Sequence, residues 1–316
     1  MKKLVGLVLV LVLALTCSAY AEEWVWDRDI EMVCMYDVGS GTDSTLRAIC
    51  DQVGRELGVS IVINNVSGGS GLTGMEYFYT QPADGYTFGM LGISHVLAGL
   101  KGTASFDVKN EMTAVACLVQ DNEMIYANTK LPFSDWDGLV AYAKEHPGDL
   151  TLALSSINGV DALSVGQLFE EAGIEITLVA CDSAEQYSLV IGGHVDLTVA
   201  SPNECKDYVD AGQMNALFTV NTVRSSAFPD VPCSADYGYT AEIGPWRAIF
   251  ARTGTPEAAI ESLDAALQKV MDTDPAWAEF KENYGLNDRP AQRDHVEMQE
   301  YWLSQFDILG EILNNQ

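Results

Sequence analysis

The sequence is short of positive charge. It carries 17 lysines and arginines against 45 aspartates and glutamates, a formal net charge of −28. Such a chain repels polyphosphates and anionic headgroups, which excludes nucleic acid and anionic membrane surfaces as partners. Any anion site in it has to be built locally, against the field of the whole molecule. Histidine is scarcer still: His95, His146, His194 and His295 lie far apart, and no pair has metal-ligand spacing on a helix. There is no Cys-x-x-Cys. The catalytic signatures are missing too, with no Gly-x-Ser-x-Gly, no Gly-x-x-x-x-Gly-Lys-[Ser/Thr], no His-Glu-x-x-His and no EF-hand loop. Around Ser70 the second glycine of a nucleophile elbow would fall on Leu72. No catalytic residue, metal site or cofactor is therefore expected. Beyond residue 21 no apolar run approaches the roughly 18 residues of a membrane-spanning helix, so no direct membrane insertion is expected.

What is present begins with an export signal. Lys2 and Lys3 precede the apolar run Leu4 to Leu15, and Ala19-Tyr20-Ala21 offers a small-x-small cleavage site. Cys17 follows Ala14-Leu15-Thr16, a poor lipobox. Residues 1–21 are read as a signal peptide and the product as a soluble periplasmic or otherwise exported protein starting at Glu22. Losing Lys2 and Lys3 takes the charge from −28 to −30. Six cysteines remain, an even number that permits disulfides. Cys34, Cys50 and Cys117 sit in apolar contexts and are read as buried thiols.

The richest stretch runs from Val59 to Met90. A β-branched strand, Val59 to Asn64, leads into Ser67 to Gly74 (SGGSGLTG), then a helix, then the Pro82-Ala83-Asp84-Gly85 turn and a strand from Tyr86 to Leu91. Gly69, Gly71 and Gly74 match Gly-x-Gly-x-x-Gly, but the acid that a dinucleotide site needs about 20 residues on is absent. A glycine loop entering a helix instead offers free N–H groups and the positive end of a helix dipole to a small anion.

The strand–loop–helix unit recurs. Glu31 to Tyr36 leads into a helix capped by Thr42 or Asp43 and ended by Gly58, with the stripe Leu46, Ile49, Cys50, Val53 and Leu57. Strand Leu150 to Leu154 precedes a helix from Val160 or Asp161 to Ala172. Strand Ile176 to Ala180 precedes a helix ending at Gly192-Gly193, followed by strand Val195 to Ala200. Thr255-Pro256 and Asp274-Pro275 read as helix starts with a cap and Pro at the first position. A last helix is expected from about Ala291 to Leu313. The fold class is α/β and two-lobed, like a periplasmic binding protein, each lobe a mainly parallel sheet flanked by helices with a cleft between. Lobe 1 is expected to comprise 22–123 and 223–316, and lobe 2 to comprise 124–222.

These motifs resemble a known family, the periplasmic substrate-binding proteins of tripartite tricarboxylate transporters, or Bug proteins. Gly39-Ser40-Gly41-Thr42-Asp43 through Arg47 loosely matches its first loop, and Asn64 through Gly71 its second. Pro82-Ala83-Asp84-Gly85-Tyr86-Thr87 is intact. Ala143 to Gly148, Gly192 to Asp196, Arg224 to Pro232 and Gly254-Thr255-Pro256 follow in order. The resemblance covers nearly the whole mature chain. It implies capture of a small di- or tricarboxylate, delivery to membrane permease subunits, and a monomer. By position, Ser40, Gly41, Thr42, Gly69, Ser70 and Gly71 would hold a carboxylate. Ser94 and His95 would reach the same cleft, and Ser155, Ser156 and Asn158 would face it from lobe 2. Where the family often has Tyr-Lys-Gly or Tyr-Arg-Gly, this chain has Cys181-Asp182-Ser183, and Arg247 follows Trp246 in place of an aromatic. Asp182, Ser183 and Arg247 are thus expected to set the distal end of the site. The alternatives are an amino acid or aromatic acid ligand, a sensor presenting its ligand to a kinase, or an exported α/β enzyme acting on a carboxylate.

Overall fold

The computed structural model describes residues 24–314 apart from 155, 156, 158, 182–184, 242, 243 and 290. The signal peptide and five expected site residues (Ser155, Ser156, Asn158, Asp182 and Ser183) lie outside the described residues. Strand β1 (Ile30–Cys34) leads through helix α1 (Gly41–Leu57) to β2 (Ile61–Asn65), α2 (Leu72–Thr80), β3 (Thr87–Leu91), α3 (Ile93–Leu100), α4 (Val108–Glu111) and β4 (Met112–Gln120). The chain then builds β5 (Met124–Asn128), α5 (Trp136–Glu145), β6 (Thr151–Leu154), α6 (Val160–Ala172), β7 (Thr177–Ala180), α7 (Gln186–Gly192), β8 (Leu197–Ala200), α8 (Pro202–Asp210) and β9 (Met214–Thr219). After α9 (Ser234–Tyr237) come β10 (Trp246–Arg252), α10 (Glu257–Thr273), α11 (Pro275–Asn283) and α12 (His295–Asn314).

Two five-stranded sheets result, ordered β2-β1-β3-β10-β4 and β7-β6-β8-β5-β9. In each, four strands run one way and one runs against them. The reversed strands, β10 and β5, pair antiparallel on both sides. These are the strands the chain enters on crossing from one sheet to the other. Side chains alternate across the first sheet as a pleated strand demands. Met32 and Cys34 pack with Leu46, Ile49 and Val53 of α1, while Val33 and Met35 pack with Met75 and Phe78 of α2. Sheet two is covered likewise, Ile125 facing Trp136 and Leu139, and Met124 and Tyr126 facing Val190 and Cys205.

Local signals placed most elements, and the departures are instructive. Ser40, not Thr42 or Asp43, caps α1: its Oγ accepts the Asp43 N–H at 3.2 Å. Asp43 is instead buried in the first turn. The Arg47 guanidinium holds its carboxyl down at about 2, and the Gly39 N–H and Asn65 amide reinforce this against burial. Helix α10 begins at Glu257 with Pro256 at the cap position, one residue later than Thr255-Pro256 implied. Asp274 does cap α11, accepting from Ala276 and Trp277 at 2.8 and 3.0 Å. Helix α12 starts four residues late because Arg293 is held in a bridge to Cys117 of β4. Strands β4 and β10 had no counterpart in the sequence reading. Both are covered on both faces, so they lack the polar–apolar alternation that marks a half-exposed strand.

Candidate functional site

A cavity of about 570 Å³ opens where loops after β1, β2 and β3 meet the first turn of α6. Thr42 of α1, Gly69 and Ser70 before α2, Ser94 and His95 of α3, and Gly159 to Asp161 of α6 line it. Four helix N-termini therefore point into one space. Each brings unsatisfied N–H groups and the positive end of its dipole.

The glycine loop supplies the tightest part. Gly68, Gly69 and Gly71 have φ of +129°, +58° and +92°, and Ser70 has φ +56°, the only non-glycine residue at positive φ among the described residues. Such strain persists only where the surroundings impose it, and it clusters at ligand sites. The Gly68 carbonyl accepts from Gly71 and Thr73. The N–H groups of Gly69 and Ser70 donate to no acceptor among the described residues. Gly74 has a packing role: a Cβ there would run into the Val66 carbonyl and lie 2.9 Å from Met35 Cα.

Tyr36, which the sequence reading did not single out, stands over this loop. Its hydroxyl lies 2.7 Å from Ser94 Oγ, and burial pushes its pKa up. His95 is 1% exposed. Its Nδ1 accepts the Gly92 N–H at 2.9 Å, and Nε2 lies beside the Gly71 backbone. Burial drives its pKa down to about 4. His95 is thus a neutral brace between two cleft loops and offers a ligand no positive charge. Because the folded value sits below the ordinary 6.5, the unfolded chain takes up a proton first as pH falls. Stability should therefore drop between about pH 6.5 and pH 4, by on the order of 3 kcal/mol from this group. Urea unfolding of wild type and His95→Gln across that window checks this. A resonance of His95, assigned by its loss in His95→Gln, that titrates near 6.5 by NMR, or identical pH slopes, would refute it.

Arg247 departs from expectation most. It lines the cavity, but its guanidinium is not held out toward a ligand. Nη1 and Nη2 donate to the two Asp121 oxygens at 2.9 and 2.6 Å, and the side chains are 18% and 5% exposed. Arg247 also borders a second cavity of about 220 Å³, lined by Asp121, Gly41, Ser44, Ser201 and Glu204. A Cβ on Gly41 would lie 2.8 Å from Arg247 Nη2, so Gly41 makes room for the guanidinium. Of the expected residues, Thr42, Gly69, Ser70, Ser94, His95 and Arg247 share the main cavity. Gly41 faces the second, Ser40 serves as a cap, and Gly71 lies behind the loop. Asp161 and Lys101 line the main cavity without having been anticipated.

Asn221 Nδ2 donates to Asn122 Oδ1, joining the two crossings between sheets, and Asp288 accepts from Asn122 and Ser226 at 3.0 and 2.9 Å. Away from the cleft, Glu257, Glu261 and His295 bring ligand-type atoms within 4.8 Å of one another on the outer surface.

A sequence model described as "Tripartite tricarboxylate transporter family receptor" matches residues 45–311. The chain belongs to this receptor family. Protein BugT of Bordetella pertussis is 26% identical over 250 residues, covering 77% of this chain and 76% of that protein. Among solved structures, Rpa4515 of R. palustris with adipate superimposes with a TM-score of 0.78 at 24% identity, covering 91% of this chain and 97% of that one. MatC of Rhodopseudomonas palustris with bound malate gives 0.75 at 22%, covering 90% and 99%. The receptor is a two-lobed periplasmic solute-binding protein and not an enzyme. Among the described residues no helix is long and apolar enough to cross a membrane.

Proposed function

We propose that this receptor captures a small organic carboxylate in the cleft between its lobes and delivers it to a membrane permease. The observation that carries this is the convergence of four helix N-termini and a strained glycine loop on one cavity, where the guanidinium of Arg247 is already paired with Asp121. Neutral donors of this kind hold a carboxylate without reacting with it. Relatives of the same fold were solved with adipate and malate. The lobes are 22–123 with 223–316, and 124–222. Closing them about the two crossings would bring Gly159 to Asp161 onto a ligand seated on the loops of lobe 1. Residues 1–21 direct export, and the mature protein starts at Glu22.

A panel of mono-, di- and tricarboxylates tests this by thermal unfolding. A ligand that binds only the folded state adds about 2.7 kcal/mol at a hundredfold excess over its Kd, so a hit should raise the Tm while the ligand stays chemically intact. A panel that moves nothing, or a hit consumed with time, overturns the proposal.

A further inference from the structure

The cleft is acidic on its lobe 2 side. Asp161 lines the main cavity from the first turn of α6. Glu123, on the first crossing, is 4% exposed and lies against it within hydrogen-bond reach. No N–H or O–H of the described residues donates to Glu123 Oε2, which is buried. A buried carboxyl without donors is costly unless it holds a proton or meets a cation. Burial, first, and the neighbouring Asp161 raise its pKa well above the ordinary value. Asp121 is close enough to be felt there, as is Glu204, which accepts the Ser201 N–H at 3.0 Å. The Arg247 guanidinium, which is felt at Glu204, is spent on Asp121. Lys101 lines the cavity too and has contacts of its own.

Taken with the donors of lobe 1, the cavity has two unlike ends. Thr42, Ser70 and Ser94 with their helix N-termini suit an anion; Asp161, backed by Glu123, suits a cation. We propose that the ligand is an amino-carboxylate: its carboxylate is held by the lobe 1 loops and its ammonium group by the Asp161 carboxylate of lobe 2. This rests on the carboxylate-receptor reading above and narrows its ligand class. The charge arrangement also gives closure a cause. A zwitterion spanning the cleft draws the anion-binding lobe and the cation-binding lobe together. A plain dicarboxylate would set its second charge against Asp161.

Calorimetric titration with matched pairs tests this: butyrate against 4-aminobutyrate, and glutarate and succinate against glutamate and aspartate. The amino member of at least one pair should bind about 30-fold or more tightly than its plain partner, the scale expected for a desolvated charge pair. Asp161→Asn should erase that preference, by weakening the amino members and by letting glutarate and succinate bind at least as tightly as they bind the wild type. Asp161→Ser, smaller and suited to a helix start, is the second variant if the first folds poorly, and circular dichroism melts accompany both. Preference for plain acids in the wild type, or equal losses for every ligand, overturns the inference and leaves the carboxylate reading standing. So does a fall in Tm without a change in selectivity, which would reduce Asp161 to a partner of the α6 dipole. If no member of any pair binds, the inference fails, and the wider carboxylate panel alone decides the reading it rests on.

Discussion

Arg247→Met should cost the fold about 3–5 kcal/mol. Asp121 sits on the first crossing between the sheets and Arg247 at the start of β10, just after the second. Their bidentate pair is nearly enclosed, with Asp121 only 5% exposed. Removing the guanidinium leaves a buried carboxylate without its charge partner, which is the expensive way to break such a pair. The Asp121 backbone N–H still donates to Pro245 at 2.8 Å and its carbonyl still accepts from Arg289 at 3.3 Å, so the loop cannot readily carry the charge to water. Urea unfolding should show the loss, and Arg247→Met combined with Asp121→Leu should recover most of it, because replacing both partners by apolar groups removes the orphan. A cost under about 1 kcal/mol, or a double variant no better than the single, would mean that the two groups do not depend on each other. If Arg247 instead met a ligand carboxylate directly, affinity would fall while stability held.

Gly71→Val should abolish carboxylate binding, with affinity at least about 100-fold weaker, and should lower stability by about 2–4 kcal/mol. Two independent obstacles meet at this position. The backbone stands at φ +92°, which a β-branched residue resists. A Cβ there would also lie 2.8 Å from His95 Nε2 and 3.1 Å from the Tyr36 hydroxyl. Both of those side chains line the cavity, so the clash is passed directly to the ligand-facing surface. Gly69→Ala is the contrast. Its φ of +58° is left-handed, but the nearest atom to a new methyl, Leu72 Cβ, is 3.5 Å away. That change should cost only about 1–2 kcal/mol of conformational strain, with affinity much less affected. Titration of each folded variant with the best carboxylate found for the wild type, beside its denaturation curve, separates the two effects. Normal affinity in Gly71→Val would remove the loop from the site.

What the sequence determined by itself is what short-range physics dictates. Gly58, Gly173 and Gly193 end α1, α6 and α7 in the left-handed conformation that only glycine adopts freely, and Asp274 caps α11. Gly68, Gly69 and Gly71 bend because glycine itself allows it, whereas Ser70 at φ +56° is held there by its surroundings. The alternation of such units was enough to imply two mainly parallel sheets and loops gathered at a cleft. Tertiary structure alone decided which charges survive there. Arg247 and Asp121 are 126 residues apart, and nothing near either residue signals that one neutralises the other. Asp161 read as one possible start of a helix. Only the crossing that lays Glu123 against it makes an acidic end to the cleft. His95 looked like a polar contact beside a strand, and it became a neutral brace once Gly92 and Gly71 closed around it. β4 and β10 stayed hidden for the same reason: a strand buried on both faces has no periodic pattern, and its identity comes from partners more than a hundred residues away.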